Sequence, residues 1–103
     1  MKQERETAFD AAMLALYDVG VKNKYNATRF QQMLRQNGGV ETAHRLLHPQ
    51  EHQQGLTRLW ELGLLDHSVE ALVLRDEFAA LFTDEERGEA RRRLAEIGYF
   101  NKS

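Results

Sequence analysis

Leu59-Trp60-Glu61-Leu62-Gly63-Leu64-Leu65-Asp66-His67-Ser68-Val69-Glu70-Ala71-Leu72-Val73-Leu74 is the stretch that decides the fold class of this chain. Leu56, Leu59, Trp60 and Leu62 leave only narrow polar room on a helix, and Gly63 supplies a left-handed stop for it. Asp66 or Ser68 then offers an oxygen to cap a second helix, on which Val69, Leu72 and Val73 share one face. Two helices of this kind belong at the centre of a bundle, so the core is expected around Trp60 and residues 69–74. Glu70 stands in that otherwise apolar helix. A carboxylate buried there without a partner costs several kcal/mol or is forced to protonate, so a cation must meet it, and Arg29 or Arg58 is the expected structural ion-pair partner.

Working outward, Phe9, Ala12, Met13, Leu16 and Tyr17 recur at helical spacing, and Gly20 follows where a left-handed cap would close the helix. The spacing predicts a first helix over about residues 3–19. Asn26 is placed to cap the next helix, with Tyr25 and Phe30 meeting as a hydrophobic staple across the cap. Phe30, Met33 and Leu34 form its buried stripe, and Asn37-Gly38-Gly39 ends it in a turn. Val40, Ala43 and Leu47 make a short third stripe that stops before Pro49, which disfavours helical geometry at His48. Phe78, Leu81 and Phe82 follow residues 69–74 in a bent or separate segment. Thr83-Asp84-Glu85-Glu86 reads as a capping box with acidic residues at the positive end of the dipole, opening a last helix to about Ile97 with Ala90, Leu94 and Ile97 on its apolar face. No alternating β-branched run competes with helix. The expectation is an all-α fold, a compact single-domain bundle of five to seven short helices over residues 1–103.

Four ordered blocks in this reading also carry a resemblance: Tyr25-Asn26-Ala27-Thr28-Arg29-Phe30, Gly38-Gly39-Val40-Glu41-Thr42-Ala43, Thr57-Arg58-Leu59-Trp60-Glu61-Leu62-Gly63, and Leu65-Asp66 running into Ser68-Val69-Glu70-Ala71-Leu72-Val73-Leu74. Together they resemble a widespread, uncharacterised bacterial all-helical module found alone or fused to larger proteins. The resemblance spans about residues 9–99 and implies a fold unit, with no reaction attached. Leu64 stands where the pattern has arginine and His67 where it has an aliphatic residue, so a charged family surface around residues 63–68 is altered here.

The chain has 103 residues, a net charge of −2 and no cysteine. The absence of cysteine excludes disulfides and thiolate ligands and suits a reducing compartment. No run of about 18 uncharged apolar residues exists, and Lys2-Gln3-Glu4-Arg5-Glu6 has no apolar segment behind it, so a soluble, cytoplasmic protein without membrane association is expected. The charge is uneven. Lys22, Lys24, Arg29, Arg35, Arg45 and Arg58 against Glu41 and Glu51 give residues 19–60 a charge of +4, leaving −6 on the rest. Lys22, Lys24, Arg35 and Arg45 are therefore the candidate anion or nucleic-acid surface, although ordinary solvated faces account for a separation this mild.

Reaction signatures are missing. His44 and His48 are spaced to share a metal across one helical turn, with His52 a further turn on, but Pro49 interrupts the series and no HExxH glutamate follows His44. Surface histidines are the plainer reading. Ser68 lacks the glycines of a nucleophile elbow and sits where a cap is wanted. Gly38-Gly39 lacks the lysine end of a P-loop and follows a helix, although the helix start near Gly39 offers free amides to an anion. Arg91, Arg92 and Arg93 point about 100° apart in succession, with Glu85, Glu86, Glu89 and Glu96 placed to pair with them as a solvated face. Asn26-Ala27-Thr28 matches a glycosylation sequon but reads as a cap. The sequence thus predicts no catalytic, metal or cofactor site. It points to a non-catalytic protein-interaction module of unidentified partner; the alternative is a small nucleic-acid-associated helical protein in a bacterial regulatory or defence context, its helices at 40–47 and 56–62 forming a helix-turn-helix-like pair.

Overall fold

Several helices in this protein end where a specific backbone or side-chain group takes over unpaired carbonyls or amides, and those endings position the elements. The computed structural model describes residues 2–25, 27–48 and 54–100. They form α1 (Lys2–Lys22), α2 (Thr28–Leu46), α3 (Gln54–Glu61), a 3₁₀ turn (Leu65–His67), α4 (Val69–Val73), a second 3₁₀ segment (Asp76–Leu81) and α5 (Asp84–Glu96). No strand occurs among the described residues. The fold is an all-α bundle with a radius of gyration of 12.9 Å. No described helix is long and apolar enough to cross a membrane.

Helix α1 runs past the glycine expected to stop it. Gly20 is helical and buried, and the left-handed residue is Lys24, at φ 64°. The Lys24 amide donates to the Val21 carbonyl at 3.0 Å and the Tyr25 amide to the Gly20 carbonyl at 2.8 Å, the paired bonds of a Schellman closure. Gly20 serves packing instead: a Cβ there would lie 3.2 Å from Tyr25 Cδ2. The same closure recurs at Gly63, as expected from sequence, where φ is 73° and the Leu64 amide bonds the Leu59 carbonyl at 2.8 Å. Asn26, the expected cap of α2, lies outside the described residues. Ala27 precedes the helix and makes no side-chain cap bond.

The glycine pair in α2 breaks the helix without ending the element. Gly38 adopts φ 78° and ψ 173°, so residues 28–37 and 39–46 form two helical segments at a kink. The second segment starts against α1. The Gly39 amide donates to Asp10 Oδ1 at 2.7 Å, so a carboxylate from another helix caps it. A Cβ on Gly39 would fall 2.5 Å from that oxygen and 3.0 Å from Asp10 Cα, which makes glycine the only residue that allows this approach without displacement.

The core gathers around Phe9 of α1. Its ring meets Phe78 edge-on with centroids 5.0 Å apart and Phe82 at 5.1 Å, and Met13, Ala43, Leu47, Leu72, Val73 and Ala90 close the cluster. Leu72 and Val73 are central, as the sequence indicated. Trp60 is not: it is 55% exposed. Helix α3 buries Leu56 and packs on the turn Leu65–His67, leaving the indole one turn further on largely in solvent. Inside the core, the Thr42 hydroxyl is buried without a hydrogen-bond partner.

Two measurements follow from these placements. Phe9→Ala is expected to lower unfolding free energy by about 3–5 kcal/mol, while Trp60→Ala changes it by less than about 1 kcal/mol; comparable losses in a urea titration would return the indole to the core. Asp10→Ala removes one cap and should cost about 1 kcal/mol. Gly39→Ala is expected to lower the melting temperature further than Asp10→Ala, because its methyl displaces both the carboxylate and the α1 backbone. An unchanged melting temperature in Gly39→Ala would refute the tertiary cap.

Candidate functional site

Helix α5 opens with the capping box read from its sequence. Thr83 Oγ1 accepts from the Glu86 amide at 3.0 Å, and Glu86 Oε1 accepts from the Thr83 amide at 2.9 Å. The other carboxylate oxygen of Glu86 lies 2.5 Å from His44 Nδ1, and the His44 ring packs on Phe82 at 5.2 Å. His44 therefore joins α2 to the start of α5. His48 is exposed, and its main-chain carbonyl accepts a bond from α5; His52 lies outside the described residues. Among the described residues no group of three or more His, Cys, Asp or Glu side chains could hold a metal ion.

Further along α5, two arginines turn inward. Arg87 donates through Nε to the Val73 carbonyl at 3.2 Å and through Nη2 to the Leu74 carbonyl at 3.0 Å, covering the C-terminal end of α4. Arg93 does the same for α2, donating from Nη1 to the Leu46 carbonyl at 2.7 Å and from Nη2 to the His48 carbonyl at 2.8 Å. These are the carbonyls a helix leaves unpaired, where the dipole favours a cation. Arg93 also donates from Nε to Glu89 Oε2 at 2.6 Å and from Nη1 to Glu70 Oε2 at 3.2 Å. Arg93 is 3% exposed and Glu70 5%.

The expected cation for Glu70 is thus corrected. Glu70 is buried, as its place in α4 suggested, but its partner is Arg93. Arg58 is exposed and lies 3.6 Å from Glu61 on its own helix, and Arg29 is exposed on α2. The solvated reading of the arginine run is corrected in the same step. Arg92 does face solvent, reaching Glu89 at 2.6 Å and Glu96 at 2.5 Å, whereas Arg93 enters the core. Burial pushes the Glu70 carboxyl above its ordinary value despite the opposing pull of its own backbone amide and Arg93. Glu89 moves the other way: its bonds to Arg92 first, and then Arg93, hold it below the carboxylate range.

Other candidates are likewise consumed by the fold. Ser68 Oγ caps α4 by accepting from the Ala71 amide at 3.0 Å, and it donates to the Leu65 carbonyl at 2.8 Å. Asp66, the alternative cap, instead accepts from the Tyr99 hydroxyl at 2.5 Å, and that bond raises the Tyr99 pKa ahead of burial. Asp66 and Glu70 accordingly have separate donors. The amide at Gly39 that was open to an anion is taken by Asp10. Of the candidate basic surface, Lys22, Lys24, Arg35 and Arg45 are all exposed, and Arg45 is paired with Glu41 at 3.0 Å. Asp10, Arg87 and Arg93 are the residues sequence reading missed. A signal existed for the arginines: at about 100° per residue, Arg87 and Arg93 each lie within about 60° of Ala90 on the helical wheel, while Arg92 lies on the opposite side.

Comparison with protein families, curated proteins and solved structures yields no match to this chain.

The two carboxylates around Arg93 give a pH signature of opposite signs. With the folded Glu70 pKa raised above 4.5, the native state keeps a proton that the unfolded chain has lost; stability contributed by this group falls as pH rises through that window. Glu89, depressed, contributes stability that is present above 4.5 and is lost as pH drops through its folded value. Subtracting a Glu70→Gln stability profile from the wild-type one should therefore leave a curve that declines with pH above 4.5; a rising difference would overturn the assignment. Arg93→Ala, which strands the buried carboxylate, should cost about 3–5 kcal/mol.

Proposed function

We propose that this chain is a non-catalytic helical module that binds another protein through the surface carrying Trp60. The observation behind this reading is the exposure of the only tryptophan on α3, a helix whose apolar anchor, Leu56, is already buried. Tryptophan is enriched among residues that dominate binding energy at protein interfaces. Among the described residues, several groups with chemical potential are engaged internally: Ser68 in a cap, His44 with Glu86, Asp66 with Tyr99, and Glu70 and Glu89 with Arg93. The resemblance to a module found both alone and fused supports the same reading, with a neighbouring domain or a separate protein as the partner. The broad +4 segment favours no nucleic-acid groove specifically, since its Arg45 and Arg58 lie beside carboxylates of their own helices.

A photoreactive amino acid at position 60 of the full chain tests this in cells. The expected product is a discrete protein adduct, absent when the same group is placed at exposed Arg91. Sub-micromolar, salt-sensitive DNA or RNA binding that is lost on replacing Lys22, Lys24 and Arg35 by Glu would instead establish the nucleic-acid reading, because phosphate contacts release counterions as they form.

A further inference from the structure

Helix α1 is apolar on both sides, and the core accounts for only one of them. Phe9, Met13 and Gly20 face inward and are buried. On the outward side Ala11, Leu14, Ala15 and Val21 are exposed, Leu14 by 56% and Val21 by 51%. Between Glu6 and Asp18 the helix carries a single charged residue, Asp10, and that carboxylate is turned to the Gly39 amide of α2. Helix α5 shows what a solvent face of this protein is made of: its exposed positions include Asp84, Glu85, Arg91, Arg92 and Glu96. A helix that is apolar all round is one that is covered all round.

The outward residues form one seam. Thr7, Ala11, Leu14, Asp18 and Val21, all exposed, alternate spacings of four and three, the repeat by which one helix lies along another. Glu4 and Lys22 flank that seam on the same side at its two ends, because the eighteen residues from one to the other make about five whole turns. Such a pattern, acidic at one end, basic at the other, and with a bulky residue next to a small one in the middle, is complementary to its own copy reversed. We infer that α1 pairs antiparallel with α1 of a second copy of this chain, about a two-fold axis between Ala11 and Leu14. Leu14 then lies over the partner's Ala11, Thr7 faces the partner's Asp18, and Glu4 meets the partner's Lys22, each contact occurring twice by symmetry. A parallel pairing sets Glu4, Asp18 and Lys22 each against its own copy, so like charges reject it. The contact uses neither Trp60 nor α3 and does not depend on what binds there.

The chain has no cysteine, which makes introduced thiols specific reporters of this pairing. When Thr7→Cys and Asp18→Cys proteins are mixed and oxidised, the expected product is a disulfide-linked dimer holding one of each, with little from either variant alone. Sedimentation equilibrium of the full chain should fit a monomer–dimer equilibrium; one helix pair is at the small end of interfaces, so a dissociation constant of about 10 μM is expected. Leu14→Glu should abolish the dimer and leave the melting temperature unchanged, since the side chain is exposed. Lys22→Glu should weaken association about tenfold, and adding Glu4→Lys to it should restore the original affinity; Trp60→Ala should have no effect. A chain still monomeric at about thirty times that constant would overturn the pairing. So would a dimer indifferent to Leu14→Glu, no recovery on charge reversal, or Thr7→Cys protein that links to itself as readily as to Asp18→Cys. Loss of the dimer in Trp60→Ala would overturn it in favour of self-association through the indole, whereas a monomer that still gives a protein adduct at position 60 removes this inference and leaves the module reading standing.

Discussion

The contact on which the rest of the bundle depends is Arg93 in the core, bonded at once to Glu70, Glu89 and the main-chain carbonyls of Leu46 and His48. A buried guanidinium is costly unless its donors are matched, and here four acceptors from three places in the chain surround it. The carbonyls belong to the end of α2, Glu70 to α4 and Glu89 to α5 itself. One side chain therefore fixes the mutual position of three helices. Helix α4 has only five residues and no independent stability, so it holds its geometry through such contacts and the Ser68 cap.

A common device runs through the other junctions: a side chain from one helix satisfies the backbone end of another. Arg87 covers the end of α4, and Asp10 caps the second half of α2 at Gly39. Short helices leave a large share of their amides and carbonyls unpaired, so closing those ends within the protein is a structural need. Ser68 meets the same need at the start of α4, while His44, Asp66 and Glu70 are engaged by the side chains of Glu86, Tyr99 and Arg93. The indole of Trp60, by contrast, is largely exposed.

Much of the fold was legible locally. The Thr83–Glu86 capping box, the Gly63 closure, the buried faces of Leu72 and Val73, and the need of Glu70 for a cation all follow from helical period and cap chemistry, which act over three to five residues. Gly20 misled for a physical reason: a glycine near a helix end reads as a left-handed cap, but this one makes room for the Tyr25 ring, and Lys24 adopts the left-handed conformation. Trp60 misled because apolar spacing on a helix says which residues share a face, and says nothing about whether a neighbour covers it.

By itself the sequence determined an all-α chain, approximate helix limits outside the α1 end, most of the apolar core and the exclusion of cysteine chemistry, because these depend on composition and on contacts within one or two helical turns. Tertiary structure alone decided that Arg93 and not Arg29 or Arg58 meets Glu70, that Asp10 takes the Gly39 amide, and that Trp60 faces solvent. Each of those outcomes joins residues more than twenty positions apart or depends on what covers a face. Such pairings are chosen by the global packing of helices, where the burial of one charge constrains every element that must supply its partners.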